Sequence, residues 1–477
     1  MNRALVVVLM LCVSHPTLAQ MPDTPAGNRL TGWLDAFNSD RQDALKSFVE
    51  QHVPAASRSR LLEASPQTFE FRARSGGFDF KKAEASTPTH LAALVQERGS
   101  DRIARIVIDV EPDSAHRVTS LAIGLVPRPP ELATPRLSEQ ALVASLEEKL
   151  ARDAAAGRFS GAVLVARQGR TVFEHAYGLA DREKKVPNTI DTRFRIGSMN
   201  KMFTGVAVLQ LAQAGKLRLD APLGTYLTDY PNKDVAGKVT IHHLLTHGGG
   251  TGDIFGPQFE AKRRSLRTIQ DYVKLYGARG LSFEPGSKWE YSNYGFLLLG
   301  AVIERVSGMS YYDYVASHVF APAGMMSTAS MPEDSIVPLR SKGYTRDPAT
   351  SGLASNEATL PYRGTSAGGG YSTVRDLARF AAALREHKLL NATYTELLTT
   401  GKVDTPMGKY AYGFGDQDSD GVRLFGHGGG APGMNGDLQI DPRSGYVTAV
   451  LANLDPPAAQ LISDCITSRL PIAKPTP

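Results

Sequence analysis

Three residues of this chain have types and spacing that can do chemistry together: Ser198, Lys201 and, far downstream, Tyr291. A serine hydroxyl is a poor nucleophile near neutrality and needs a base within hydrogen-bond reach. Residues three apart share one face of a helix, so Ser198-Met199-Asn200-Lys201 brings an amine beside Oγ. Ile196 and Gly197 precede the serine, and an apolar helical face of Met202, Val206, Leu209 and Ala212 follows it. Ser198 therefore falls where unpaired N–H groups and the positive end of a helix dipole gather, which favours developing negative charge and a neutral lysine. The same four residues also fit an N-cap serine followed by a solvated lysine, so the spacing is not decisive by itself.

Tyr291-Ser292-Asn293 follows Pro285-Gly286 and precedes the apolar run Phe296 to Val302, on a loop leading into a buried helix. A tyrosine against a lysine ammonium has its phenolate stabilised and can relay protons, and an amide side chain can position a substrate carbonyl. His427-Gly428-Gly429-Gly430 comes directly after a strand-like run, Arg423 to Gly426. Glycines there let a substrate approach an edge strand, and the N–H of Gly430 can join that of Ser198 in an oxyanion hole. The structural alternatives are a packing tyrosine with a turn asparagine, and a strand end running into a glycine-rich turn.

These groups need a scaffold, and the chain is long enough for two domains: 477 residues exceed what one core usually supports. Four prolines fall between Pro127 and Pro135, which predicts a linker over 127–135 between an accessory domain (20–126) and a catalytic domain (136–477). Residues 1–19 read as a secretory signal peptide: Arg3, an apolar stretch from Ala4 to Val13, then Thr17-Leu18-Ala19. The expectation is an exported protein, periplasmic or extracellular, without a membrane-spanning segment after cleavage.

In the accessory domain, Trp33, Leu34, Phe37, Ala44, Leu45, Phe48 and Val49 recur at helical spacing. Strands are expected at Thr68–Ala73, Ile103–Val110 and Val118–Leu125, with a helix over His90–Arg98, giving a small α+β domain. Its opening phrase resembles the first helices of the cone-shaped nuclear-transport-factor and polyketide-cyclase fold. In the catalytic domain, Ser138 can cap a helix to about Asp153, and Gly161–Arg167 with Thr171–Tyr177 reads as a hairpin. Further strands are expected at Arg423–His427, Gly436–Ile440 and Tyr446–Leu451, with a last helix to about Ile466. Strands at both ends and helices between them imply an α+β fold with an antiparallel sheet assembled from distant segments.

In order, these motifs resemble those of the serine β-lactamase and penicillin-binding-protein superfamily, and most of all its class C, esterase and D-stereospecific peptidase branch. The likeness covers Ser138 to about Arg469. It includes Leu244-Leu245-Thr246-His247, Phe283-Glu284-Pro285-Gly286, Tyr291-Ser292-Asn293-Tyr294-Gly295, Pro322-Ala323-Gly324-Met325 and Gly368-Gly369-Gly370-Tyr371-Ser372. The resemblance implies an antiparallel sheet with flanking helices plus a helical subdomain. It also implies a Ser198 acyl-enzyme, proton transfer by Lys201 and Tyr291, and substrate contacts from Asn293, His427, Gly429 and Gly430, with no metal or cofactor. One departure matters: many relatives place Lys-Thr-Gly or Lys-Ser-Gly where this chain has His427-Gly428-Gly429. The hydroxyl is gone, and an ordinary histidine would be only partly charged, so substrates shift from cephalosporins toward esters or peptide-like amides, some of them cell-wall derived.

Two rivals remain. Gly364-Thr365-Ser366-Ala367-Gly368 fits the nucleophile elbow of an α/β-hydrolase, although Pro361-Tyr362-Arg363 is a poor strand to precede it. An acylatable but non-catalytic sensor of muropeptides or β-lactams is the other. His243 and His247 stand four apart, but Leu244 occupies the position of a zincin glutamate, which favours a structural role. A formal charge of +5 without a dense basic tract excludes nucleic acid as an expected partner, and the partner expected is a small-molecule or peptide-like substrate.

Overall fold

The computed structural model describes residues 20–472 except 40, 64–67, 69–70, 73–74, 348–351 and 420; the expected signal peptide lies outside the described residues. The chain divides into two compact units, one ending at Ala133 and the other beginning at Thr134.

The first unit opens with α1 (Pro25–Asn38), whose N-cap Thr24 accepts from the backbone of Gly27, followed by α2 (Gln42–His52) and α3 (Ala55–Glu63). A four-stranded antiparallel meander then runs β1 (Phe78–Ser86), β2 (His90–Glu97), β3 (Ile103–Val110) and β4 (Val118–Val126). Alternate residues of β3, Ala104, Ile106 and Ile108, join Leu91, Ala93 and Val95 of β2 in one core with Leu30, Trp33 and Phe37 of α1. The Trp33 and Phe37 rings stack at 4.7 Å.

Two sequence expectations fail in this unit. His90–Glu97 is a strand rather than a helix: Leu91, Ala93 and Val95 alternate onto α1, and pairing with β1 and β3 outweighs the helical leaning of its alanines and leucines. Thr68–Ala73, expected as a strand, is helical at its described residues Thr68, Phe71 and Arg72, and the sheet instead begins at Phe78.

The second unit begins with α4 (Glu139–Ala155), capped by Ser138, whose Oγ accepts from Ala141 N at 3.2 Å. The hairpin of β5 (Gly161–Arg167) and β6 (Arg170–Tyr177) turns through Gln168 and Gly169, both at positive φ, as a tight two-residue turn requires. Further on come β7 (Phe194–Gly197), α5 (Asn200–Gln213), α6 (Asn293–Ser307) and β8 (Gly370–Ser372). Strands β9 (Val403–Thr405), β10 (Gly408–Tyr410), β11 (Gly415–Ser419), β12 (Val422–Ala431), β13 (Met434–Ile440) and β14 (Tyr446–Ala452) precede α7 (Ala458–Thr467).

The main sheet has eight strands in the order β9-β10-β11-β12-β13-β14-β5-β6, with every pair antiparallel. Its central strands are buried on both faces, and the strand alternation sorts side chains between them. Ala162, Leu164, Leu438 and Leu451 face the helical layer that holds α5 and α6. Val163, Val165 and Val450 face Leu142 and Leu146 of α4 and Ile462 and Ile466 of α7. Only Gln210 and Gln213 of α5 escape burial, because apolar residues surround that helix on all sides.

This topology removes the nucleophile-elbow alternative. The sheet is antiparallel, Thr365 and Gly368 close a tight turn, and no helix follows until Val374. Ser366 is fully buried and its Oγ has no hydrogen-bond partner.

Candidate active site

Strand β7 delivers the chain to Ser198, and a glycine on each side makes the delivery possible. Gly197 sits at φ +50°, where a side chain would press its Cβ to 2.8 Å from Gly430 N. A Cβ on Gly429 would stand 1.9 Å from Ile196 O and 3.0 Å from Ser198 N. The bare Gly429-Gly430 segment of β12 therefore lies directly against the backbone of Ser198, which brings the two expected oxyanion-hole amides into one place.

Ser198 is half-buried on the wall of a cleft of about 640 Å³, with Tyr291, Asn293 and Gly430 also lining it. Lys201, the second residue of the helix that follows, is fully buried behind the serine. Its Nζ lies 2.6 Å from Ala367 O, 2.8 Å from Asn293 Oδ1 and 3.2 Å from Ser198 Oγ. The first two neighbours face it as acceptors. A neutral amine has two N–H groups to satisfy them and one lone pair left for the serine hydroxyl. Burial lowers the Lys201 pKa to about 7, against a partial upward pull from Asp253.

Tyr291 lays its ring 4.7 Å from Lys201 Nζ, and its hydroxyl is near enough to Ser198 for the serine to oppose part of the pKa rise that burial causes. Burial raises its pKa, so at neutral pH the group is a phenol, and the phenolate the sequence reading allowed is not the resting form. Behind it the aromatic packing is dense: the His247 ring is 4.3 Å from Tyr291 and 4.7 Å from Tyr410. His247 accepts the Ser292 N–H at 3.1 Å through Nδ1, and His243 accepts the Thr240 N–H in a capping box, so each of these histidines has a local structural bond.

Asn293 is reached from both sides. Its Nδ2 donates to Asp253 Oδ2 at 3.1 Å and its backbone N–H to Asp253 Oδ1 at 2.9 Å, which aims Oδ1 at the lysine. Asp253 carries no motif in the sequence, and only its place after the run Gly248–Gly252 hints at a loop packed against something. It lines the cleft and orients the amide that holds Lys201.

His427 departs from its expected state and place. It is not among the residues that line the cleft, and burial, helped by Lys201, lowers its pKa to about 4. The neutral ring donates from Nδ1 to Gly428 O and accepts the Tyr410 hydroxyl at Nε2, 2.9 Å away. The reading of a partly charged side chain on the substrate wall is therefore corrected: both ring nitrogens serve the protein. Tyr410, the residue that makes this so, has no sequence signal of its own.

The sequence model of the Beta-lactamase family matches residues 143–464, two thirds of the chain, including every residue of this site. A penicillin-binding protein of Bacillus subtilis, PbpX, is 30% identical over 300 residues, covering 61% of this chain and 70% of that protein. Esterase EstB of Burkholderia gladioli is 39% identical over 183 residues, 35% of this chain and 46% of its own, so less than half of that relative is spanned. Among solved structures, a penicillin binding protein from Bacillus halodurans superposes with a TM-score of 0.60 at 32% identity, covering 68% of this chain and 98% of that one. Buried lysine, neighbouring serine, antiparallel sheet and family match agree, and the chain belongs to the β-lactamase family, as a serine hydrolase.

Proposed function

We propose that this protein hydrolyses small ester or amide substrates through an acyl-enzyme on Ser198. The observation that carries the reading is the environment of Lys201: a fully buried amine with a pKa near 7, two of its neighbours acceptors and the third the serine hydroxyl. Ser198 Oγ attacks the substrate carbonyl as its proton passes to Lys201 Nζ, and the oxyanion is received by the N–H groups of Ser198 and Gly430. Collapse expels the leaving group, which takes the Tyr291 hydroxyl proton; the Lys201 ammonium restores it. Water then attacks the acyl carbonyl as its proton passes to the now neutral Lys201 amine, directly or relayed by the Tyr291 hydroxyl, and that proton returns to Ser198 Oγ as the acyl–serine bond breaks. Asn293 and Asp253 act as positioning residues for the lysine, and Gly429 keeps the strand close enough to work.

The neutral, internally bonded His427 supports a preference for esters over cephalosporins, since it offers no cation at that place. The relative named an esterase favours the same class. Export is part of this reading and rests on the N-terminal sequence; among the described residues no helix is long and apolar enough to cross a membrane.

A fluorophosphonate probe tests the assignment. Labelling should vanish in Ser198→Ala and persist in Ser366→Ala, and nitrophenyl butyrate should turn over many times per protein. Labelling retained by Ser198→Ala would sink the nucleophile, and a single stoichiometric burst without turnover would make the protein a sensor.

A further inference from the structure

The cleft beside Ser198 holds two carboxylates and one strong cation, and their states differ. Asp253 is occupied by the amide and backbone of Asn293, and Glu260 pairs with Arg263 at 2.7 Å. Among the described residues, Arg363 is the only lysine or arginine that lines the cleft, and no carboxylate pairs with it. Nearby arginines do not share that state: Arg195 and Arg340 both meet Glu333.

Arg363 is nevertheless held firmly. Its guanidinium lies over the Tyr312 ring, 3.4 Å from the ring centre, and Nε donates to Ser330 O. Asn200, the first residue of α5, reaches both Ser330 Oγ and Thr365 O with its Nδ2, which ties the arginine's anchor to the helix carrying Lys201. Stacking and the Nε bond fix the plane of the fork and leave both terminal nitrogens without a protein acceptor among the described residues. A preoriented, half-buried fork of this kind matches a carboxylate, which two parallel N–H bonds can grip. Phe255, Phe259, Leu360, Pro361 and Met434 supply an apolar lining to the same cleft.

We infer that Arg363 is a specificity-determining residue that binds a carboxylate on the substrate, and that the protein accepts esters or amides with an apolar body and a terminal carboxylate. This deepens the Ser198 acyl-enzyme reading and rests on it. The His427 position supplies no charge, so recognition of an anion in this cleft falls to Arg363.

Two nitrophenyl esters of matched length test the assignment: the mono-p-nitrophenyl ester of glutaric acid and p-nitrophenyl pentanoate. The quantity read is the ratio of kcat/KM for the charged ester over the neutral one. Arg363→Gln should lower that ratio about tenfold to a hundredfold, the range of one lost charge-assisted contact, mainly through KM for the glutarate. Arg363→Lys, which keeps the charge but not the fork, should fall between. A ratio unchanged in Arg363→Gln overturns the assignment, as does an equal loss on both esters, which would mark a purely structural residue. Ser198→Ala serves as the separate control: hydrolysis of both esters by that variant would refute the acyl-enzyme reading itself, whatever the ratio does.

Discussion

Lys82 and Lys201 carry the same side chain and are pushed in opposite directions. In the N-terminal unit, the Lys82 side chain is 42% exposed, sits 2.5 Å from Glu131, and has its pKa raised by that bond. In the catalytic unit, Lys201 is out of water among two carbonyl oxygens, a hydroxyl and aromatic rings, and its pKa falls to about 7. Other charges of the first unit follow Lys82: Arg98 with Asp79 and Arg105 with Glu84 are solvent-facing ion pairs. An ammonium with a carboxylate partner in water stays charged, whereas one surrounded by neutral acceptors gives up its proton near neutrality. The chemistry of this molecule is therefore concentrated in one unit by the way its partners are chosen, rather than by the count of charged residues.

The sharpest way to break that contrast is to remove each lysine in turn. Lys201→Ala should lower kcat/KM on nitrophenyl butyrate by about a thousandfold or more, because the serine loses its base, and Lys82→Ala should leave the rate near wild type. Comparable losses in both variants would end the distinction between the two units.

A second test is the pH profile of kcat/KM. The active form is the neutral amine, so activity should rise with pH and level off above a limb near 7, losing about tenfold per unit on the acid side. A flat profile between pH 5 and 8 would show that Lys201 does not set the rate. Asp253→Asn should move that limb in a known direction. The carboxylate raises the lysine's pKa, so its removal lowers the pKa and carries the limb to lower pH, with a smaller loss of maximal rate than Lys201→Ala. A limb that moves upward would contradict the role given to Asp253.

The smallest effect concerns the first unit as a whole. A chain beginning at Pro135 should fold and keep hydrolysis of small esters within about threefold, since every proposed group lies beyond Thr134. An inactive or insoluble product would give that unit a part in completing the cleft.

What the sequence made legible was the chemistry written in short spacing. Ser198 and Lys201 stand three apart across the turn that opens one helix, and Tyr291 and Asn293 lead into another, so their neighbourhoods could be read locally. Asp253, Arg363 and Tyr410 act only through contacts made across the fold, and no local pattern marks them. His427 was found by its glycine-rich motif but its charge state was not, because that depends on a tyrosine seventeen residues away in sequence and on burial. The same limit explains His90–Glu97, where strand pairing decided against local helical preference.

The burial of α5 has a consequence for the timescale on which this site can change. A helix enclosed by protein along its length does not fray open piecemeal, so amide protons of residues 204–212 should exchange with solvent only when the whole unit unfolds. Lys201, at the buried start of that helix, is then anchored to the slowest-opening part of the molecule. Motions that admit substrate must come from the surrounding loops, such as the one bearing Phe255, which is 64% exposed at the cleft.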